Sequence, residues 1–209
     1  MPLPELLAGH QQFKNYFSEN KERMLELARK QEPQVFWIGC SDSRVIPEQI
    51  LNTQPGDLYV TRNVANVVPP FGTVNDALGA VIEHAVTHLP IRDIVICGHT
   101  ECGGIKALDR YMDMSREPHL ARWIEFARPA LAQVQASGIA EEKHHLETIK
   151  ANVLLQRKNL LTYDCVRDAV KVGKLNVHAW LYDVWTGDLL RYDDQSGQWR
   201  ALAEFVNVP

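Results

Sequence analysis

Residues 93–104 read DIVICGHTECGG, an apolar run that passes directly into polar and sulfur-containing side chains. The run 93–98, DIVICG, is short and rich in β-branched residues, which is typical of a strand buried on both faces. Residues 35–40, VFWIGC, show the same pattern and also end at a cysteine. The sequence therefore predicts two buried strands that each run into metal-capable or redox-capable side chains.

Strand-like and helix-like patterns alternate along the rest of the chain. Apolar residues recur at helical spacing in residues 4–30, 75–89 and most of 104–172. Further strands are predicted at residues 58–63 and 177–184, and a turn at 186–188 leads into a last strand, 189–193. This order predicts an α/β fold: a central, mainly parallel β-sheet flanked by helices, with an N-terminal helical arm and a C-terminal edge hairpin. We expect one domain, residues 1–209, with residues 1–33 forming an arm that packs on a partner subunit.

Composition excludes several classes of protein. The chain has 209 residues, of which 45% are hydrophobic and 23% are charged, as in ordinary globular proteins. A formal net charge of −4 argues against nucleic acid or an anionic membrane surface as the partner. No apolar run approaches the roughly 18 residues that a membrane span needs, and the N-terminus lacks the pattern of a signal peptide. We therefore expect a cytoplasmic protein.

The four cysteines are too few for a small disulfide-rich domain and fit reduced thiols in a cytoplasmic chain. In a parallel sheet, sites form beyond the carboxyl ends of the strands, so Cys40 can meet His99 and Cys102 there. Two thiolates and an imidazole suit zinc, and three protein ligands leave a fourth position open for catalysis. A redox pair is the alternative, although the C-x-x-x-x-C spacing does not favour it. Cys97 and Cys165 are interpreted as structural thiols.

Asp42 and Arg44 lie just beyond the proposed ligand Cys40, in the motif CSDSR. As a solvated surface ion pair they would contribute little. As part of the site, Arg44 would keep Asp42 ionised and oriented, so that the carboxylate accepts a hydrogen bond from a group on the metal.

Four separated motifs, CSDSRV, RNVAN, VICGHTECGG and HAWLYDV, resemble those of the β-class carbonic anhydrases in order and spacing. The resemblance covers about Gln31 to Val184. It implies that Cys40, His99 and Cys102 bind one zinc ion per subunit and that Asp42 and Arg44 form the catalytic dyad. The implied reaction is the reversible hydration of carbon dioxide to bicarbonate and a proton, through a zinc-bound hydroxide oriented by the dyad. The implied assembly is a homo-oligomer, either a dimer or a dimer of dimers.

The same resemblance assigns further residues to the substrate pocket. Gln31 matches a glutamine that reaches a neighbouring subunit's bicarbonate, and Tyr59 stands where an apolar wall residue is usual. His84 replaces a usual tyrosine and is a candidate proton carrier, while the Gly103 amide is expected to support a bound anion. An ordinary polar role for Gln31 and a structural role for His84 remain the alternatives.

A second, non-catalytic bicarbonate pocket exists in one subgroup of the family, and Trp37, Arg62 and Tyr182 stand at its positions. In that subgroup Asp42 would leave Arg44 and occupy the fourth zinc position. Trp37 also has a simple packing explanation, and other motifs look like the unregulated plant-like branch. We expect a site that is open at mildly alkaline pH, with switching at lower pH as the alternative.

Three rival functions share these residues. A carbon disulfide or carbonyl sulfide hydrolase on the same scaffold would keep the ligands and the dyad. A non-catalytic zinc-binding module would have no need for Asp42 and Arg44. A thiol–disulfide redox protein would show different free-thiol counts in metal-free and zinc-loaded forms.

Overall fold

The computed structural model describes residues 2–73, 76–109 and 115–205. The chain divides into two compact units, Met1–Glu32 and Pro33–Pro209. The division lies one residue from the predicted end of the helical arm.

The first unit is a pair of helices, α1 (Leu3–Glu19) and α2 (Lys21–Arg29), as the apolar spacing of residues 4–30 predicts. All residues of both helices are described, and none of them is buried. The large apolar side chains that these helices leave exposed are Leu3, Leu6, Leu7, Phe13 and Leu25. The unit therefore has several large apolar side chains exposed on its surface.

The second unit is built on a six-stranded sheet in the order β2-β1-β3-β4-β5-β6. The strands are β1 (Val35–Cys40), β2 (Leu58–Asn63), β3 (Asp93–His99), β4 (Asn176–Tyr182), β5 (Leu189–Asp193) and β6 (Gln198–Ala201). The pairs among β2, β1, β3 and β4 are parallel, whereas β5 and β6 join antiparallel. The predicted α/β fold with an edge hairpin is confirmed, and β6 is an additional strand that the sequence did not reveal.

The helices of the second unit are α3 (Pro47–Ile50), α4 (Asp76–His88), α5 (Gly103–Lys106), α6 (Pro118–Ile124), α7 (Arg128–Gln135), α8 (Glu141–Leu160) and α9 (Asp164–Lys171). The predicted helix 75–89 corresponds to α4, although Asn75 lies outside the described residues. Prolines stand in the first turns of α6 and α7, where a missing backbone N–H is tolerated.

Helix α8 packs very closely on the carboxyl end of β3. A Cβ at Gly98 would lie 2.5 Å from Val153 Cγ2 and 3.3 Å from Ile149 Cγ2, both side chains of α8. Only a glycine at this position allows the approach, and the residue precedes His99 directly. The packing of α8 on Gly98 thus fixes the position of the strand end that carries His99.

We expect Gly98→Ala to lower the free energy of unfolding by about 1–3 kcal/mol, because the added methyl overpacks a rigid core. Urea denaturation of the metal-free protein measures the change. Gly9→Ala in α1 is the matched control, since no described heavy atom lies within 4 Å of its added Cβ. A glycine-to-alanine change in a helix should stabilise it by about 0.5–1 kcal/mol. Equal stability of the Gly98→Ala variant and the wild type would contradict this packing account.

Candidate metal centre

The donor atoms of Cys40, His99 and Cys102 lie within 4.8 Å of one another. Strands β1 and β3 are parallel neighbours, with Gly39 opposite Cys97, so both strands end at the same edge of the sheet. Cys40 is the last residue of β1 and His99 the last residue of β3. All three side chains are buried, at 5%, 0% and 1% exposure. The predicted ligand set is therefore brought together.

The ring of the buried His99 has one nitrogen that no described residue hydrogen-bonds. His99 Nδ1 lies 2.9 Å from the carbonyl oxygen of Thr100, and because a carbonyl only accepts, Nδ1 carries the proton. The other ring nitrogen, Nε2, is buried and has no hydrogen-bond partner among the described residues. A buried acceptor without a partner is unfavourable unless a ligand fills the position. This arrangement, in which a carbonyl fixes the tautomer, is typical of metal-binding histidines.

The two sulfur atoms also have suitable spacing for a metal. Cys40 Sγ and Cys102 Sγ are 4.0 Å apart, and tetrahedral zinc with bonds of about 2.3 Å would place two sulfurs about 3.8 Å apart. The hydrogen bond from the Cys102 thiol lowers the pKa of Cys40, whereas the same contact and burial raise the pKa of Cys102. Binding of a metal to both sulfurs would displace the proton that they share. The donors present fit a zinc ion.

Asp42 and Arg44 form a two-pronged ion pair beside the three donors. Arg44 Nε donates to Asp42 Oδ1 at 2.8 Å, and Arg44 Nη2 donates to Oδ2 at 2.7 Å. These bonds to the Arg44 guanidinium hold the pKa of Asp42 well below its usual range. Asp42 Oδ2 lies 3.8 Å from His99 Nε2. An ionised carboxylate therefore stands next to the position that the three donors surround.

A cavity of about 880 Å³ lies near the end of β1. Its lining includes Ser41, the residue after Cys40, and Asn63, the residue of β2 that pairs with Cys40. Trp123 of α6 and Phe126, which follows that helix, also line the cavity. The cavity is therefore partly apolar and lies close to the strand end that carries Cys40.

Cys97 is not part of the metal group that the described residues form. Its Sγ donates to the carbonyl oxygen of Gly98 at 3.2 Å, and burial raises its pKa above the ordinary range. Cys165 is half-buried on α9. Both placements agree with the interpretation of these two cysteines as structural thiols.

We expect Cys97→Ala to bind metal with the wild-type stoichiometry, because the substituted sulfur is not among the donors. Loss of the buried sulfur should instead reduce stability by about 1–3 kcal/mol. Metal analysis after dialysis and urea denaturation measure the two effects separately. A variant that folds but loses its metal would place Cys97 in the metal centre.

A family model described as "Carbonic anhydrase" matches residues 35–189, about three quarters of the chain. The chain belongs to the carbonic anhydrase family. A carbonic anhydrase of Pseudomonas aeruginosa is 38% identical over 183 residues, which cover 87% of this chain and 83% of that protein. A carbonic anhydrase of Synechocystis is 34% identical and covers 91% of this chain and 71% of that protein.

Solved structures place the chain in the β class. The β-carbonic anhydrase CcaA superposes with a TM-score of 0.90 at 32% identity, covering 95% of this chain and 91% of that chain. The β-carbonic anhydrase CafA of Aspergillus fumigatus superposes with a TM-score of 0.77 at 34% identity, covering 91% of this chain and 90% of that chain. A structure from a study of two tetrameric β-carbonic anhydrases of Sordaria macrospora superposes with a TM-score of 0.78 at 31% identity, covering 90% of this chain and 94% of that chain.

The residues that family resemblance assigns to the substrate pocket do not all lie at this chain's own metal centre. Tyr59 and His84 contact each other, with the Tyr59 hydroxyl 3.3 Å from His84 Nδ1. Tyr59 lies four residues before Asn63, the partner of Cys40 in the sheet, which corresponds to about 13 Å along β2. The structure therefore separates this pair from the donors of the same carbonic anhydrase chain.

The other two assigned pocket residues have different surroundings. Gly103 follows the donor Cys102 directly and begins α5, and no described heavy atom lies within 4 Å of the position of a Cβ there. Gly103 is thus placed directly after a donor, with open space where a side chain would stand. Gln31 is exposed in the Met1–Glu32 unit, after α2.

Two of the three residues that the resemblance assigns to a second bicarbonate pocket, Trp37 and Tyr182, lie together on one face of the sheet. Trp37 and Tyr182 belong to one apolar cluster, in which the ring of Trp180 packs edge-on against Trp37 at 6.0 Å. Arg62 donates to the carbonyl oxygens of Cys40, at 2.8 Å, and Asp42. Trp37 Nε1 is buried with no hydrogen-bond partner in the described part of the chain. Packing in this cluster is sufficient to explain a tryptophan at position 37. The Arg62 side chain already has a structural role, because it holds the loop after β1 through these two carbonyl oxygens.

Two sets of supporting residues were not predicted. Asn152, Gln156 and Asn159 form a ladder of amides along α8, and Asn152 Nδ2 donates to the carbonyl of Ala65 at 3.0 Å. Ala65 adopts a left-handed conformation, with φ of 61°, and needs such support. The signal that could have revealed the ladder is the spacing of three amide residues on one helix face. The second set of supporting residues contacts the loop at Glu101, which lies between the donors His99 and Cys102.

No helix among the residues that the structure describes is both long enough and apolar enough to cross a membrane.

Proposed function

We propose that the protein catalyses the reversible hydration of carbon dioxide to bicarbonate and a proton, with one zinc ion held by Cys40, His99 and Cys102. One observation carries this proposal: a buried cluster of three donors, including an unpartnered His99 Nε2, lies beside a carboxylate held by an arginine. A purely structural zinc site would be closed by a fourth protein ligand. Membership of the carbonic anhydrase family supports the same reaction.

Zinc would supply the Lewis acidity that makes water a nucleophile near neutral pH. Asp42 would accept the nucleophile's hydrogen and so direct its lone pair at carbon dioxide. Arg44 would hold the Asp42 carboxylate in that orientation through its two hydrogen bonds. The apolar wall of the cavity at Trp123 and Phe126 suits a neutral, nonpolar substrate.

We further propose that association of subunits completes the substrate pocket. Tyr59 and His84 are remote from their own chain's donors, so they can line a pocket only at another copy's centre. His84 would then carry the proton away, assisted by the Tyr59 hydroxyl, and Gln31 would contact bicarbonate. Exposed apolar residues on α1 and α2 provide surface for a homo-oligomer, either a dimer or a dimer of dimers. The tetrameric relatives of Sordaria macrospora support this assembly.

Bicarbonate regulation through Trp37, Arg62 and Tyr182 is a proposal with one specific observation behind it, the buried indole N–H of Trp37 without a partner. Regulation would require Asp42 to leave Arg44, and the structure has the two residues paired. We therefore propose a site that is open at mildly alkaline pH. A cytoplasmic location is proposed because oxidation of the neighbouring Cys40 and Cys102 to a disulfide would destroy the donor set.

The test is stopped-flow carbon dioxide hydration on zinc-quantified protein from about pH 6 to about pH 9. Two thiolates cancel the charge of the metal, so we expect the rate to rise on the alkaline side. Asp42 stays ionised across this range, because its pKa is lowered, and its titration does not shape the profile. Absence of hydration at every pH in fully zinc-loaded protein would overturn the proposal. Turnover of carbon disulfide or carbonyl sulfide would then identify the rival hydrolase.

A further inference from the structure

Glu101 lies between the donors His99 and Cys102 and joins the two loops of the centre. Its carbonyl oxygen accepts a hydrogen bond from Arg44 Nη2 at 3.2 Å. The same nitrogen donates to Asp42 Oδ2 at 2.7 Å. One guanidinium nitrogen thus connects the loop after β1 with the loop after β3. Any displacement of the Glu101 carbonyl would change the position of Arg44 and, through it, of Asp42.

The backbone at Glu101 is in a conformation that a glutamate rarely adopts. Its φ is 60°, in the left-handed region, and this turn directs the chain back so that Cys102 faces Cys40. Residues other than glycine, asparagine and aspartate occupy this region mainly where the surroundings hold them.

The loop that carries Glu101 is held from two sides. The Glu101 carboxylate pairs with the Lys106 ammonium at the end of α5. Thr100, the residue before Glu101, is tied to the turn between β4 and β5, because its Oγ1 donates to Asp183 Oδ1 at 3.1 Å. The turn and α5 together anchor the loop that carries His99 and Cys102.

The exposure of this ion pair limits what it can contribute. The side chains of Glu101 and Lys106 are 34% and 52% exposed, and ion pairs of that kind add little to overall stability. A contribution to orientation is different, since small displacements of a catalytic group reduce rates strongly. The effect of the Glu101 carboxylate should therefore appear in turnover rather than in unfolding.

We propose that Glu101 is a positioning residue for the Asp42–Arg44 pair: its carboxylate, anchored by Lys106, holds the backbone carbonyl that fixes the Arg44 guanidinium. This inference rests on the proposed function, because it gives Asp42 and Arg44 their role. It adds a role for Lys106, which lies outside the four motifs that carry the family resemblance.

The test compares Glu101→Gly with Glu101→Gln. Glycine relieves the left-handed backbone but removes the anchored carboxylate. Glutamine keeps the length and one acceptor. We expect kcat for carbon dioxide hydration to fall about tenfold in the glycine variant and less in the glutamine variant, with KM within about twofold and one zinc per chain retained. Glu125→Gln is the matched control, because Glu125 forms a similar exposed pair with Arg128 on another part of the surface. The control should retain wild-type kcat.

A second readout uses the metal-free protein. Arg44 should react about threefold faster with phenylglyoxal in Glu101→Gly than in the wild type, as measured by mass spectrometry of the Arg44 peptide, because it has lost a fixed acceptor. Lys106→Met should lower kcat as Glu101→Gln does, and the double variant should be no worse than either single one.

The outcomes separate the two proposals. A zinc-loaded wild type without hydration activity refutes the proposed function. An active wild type with Glu101→Gly as fast as the Glu125→Gln control, and with unchanged Arg44 reactivity, refutes the positioning role alone. Loss of zinc from Glu101→Gly would also refute it, since the residue would then support the ligands rather than the Asp42–Arg44 pair.

Discussion

Cys102→Ala is expected to lose bound zinc and carbon dioxide hydration together. The substitution removes one of three donors and leaves Cys40 and His99 at a buried position with only two. Loss of residues that merely support a ligand already reduces metal affinity about 10- to 100-fold, so loss of the ligand itself should exceed about 100-fold. Metal analysis after dialysis, together with stopped-flow rates, measures both effects.

Cys165→Ala is the control for this substitution, because Cys165 is a half-buried thiol on α9 outside the donor group. It should keep both zinc and activity. Tight stoichiometric zinc in Cys102→Ala would show that the assignment of Cys102 as a ligand is wrong. Zinc loss from both variants would point to a general defect in folding.

Asp42→Ala is expected to retain one zinc per chain and to lose about 100- to 10,000-fold in kcat. The three donors are untouched, whereas the carboxylate that would orient the nucleophile is gone, and positioned acid–base groups contribute rates of that order. Arg44 would also lose the partner that receives two of its hydrogen bonds. Zinc-normalised kcat measured by stopped flow checks the prediction.

Asp194→Ala is the matched control for Asp42→Ala. Arg157 donates two hydrogen bonds to the Asp194 carboxylate, at 3.0 and 2.7 Å, on the surface of the protein. This control should keep wild-type kcat. Near-normal turnover in Asp42→Ala would remove Asp42 from the mechanism while leaving the metal centre intact.

The sequence predicted the centre of the sheet because β1 and β3 are short, almost continuous apolar runs. β1 and β2 have the predicted bounds, and β3 extends one residue further, to His99. β6 was missed because its four-residue sequence, QWRA, has a single large apolar side chain, Trp199, and its other three residues are exposed to solvent. Edge strands depend on backbone pairing with a neighbour, here β5, and that pairing leaves little pattern in the sequence.

The donors of the centre were predictable because their residue types and their places at strand ends carry the signal. The role of Glu101 was not, since it depends on a left-handed backbone and on a carbonyl that meets Arg44. Backbone contacts of this kind do not follow from residue type. Tyr59 and His84 could be assigned to a substrate pocket from the family resemblance, but their distance from the donors could not be predicted. The register of β2 shows how far Tyr59 lies from Asn63, the partner of Cys40, and His84 contacts Tyr59.

The most direct test of a zinc-dependent hydration centre is a titration of metal-free protein with zinc, in which carbon dioxide hydration is followed by stopped flow. The account predicts a linear rise in rate that ends at one zinc per chain, and no rise in Cys102→Ala. A rate that is independent of zinc, or full zinc binding without any hydration, would contradict the account.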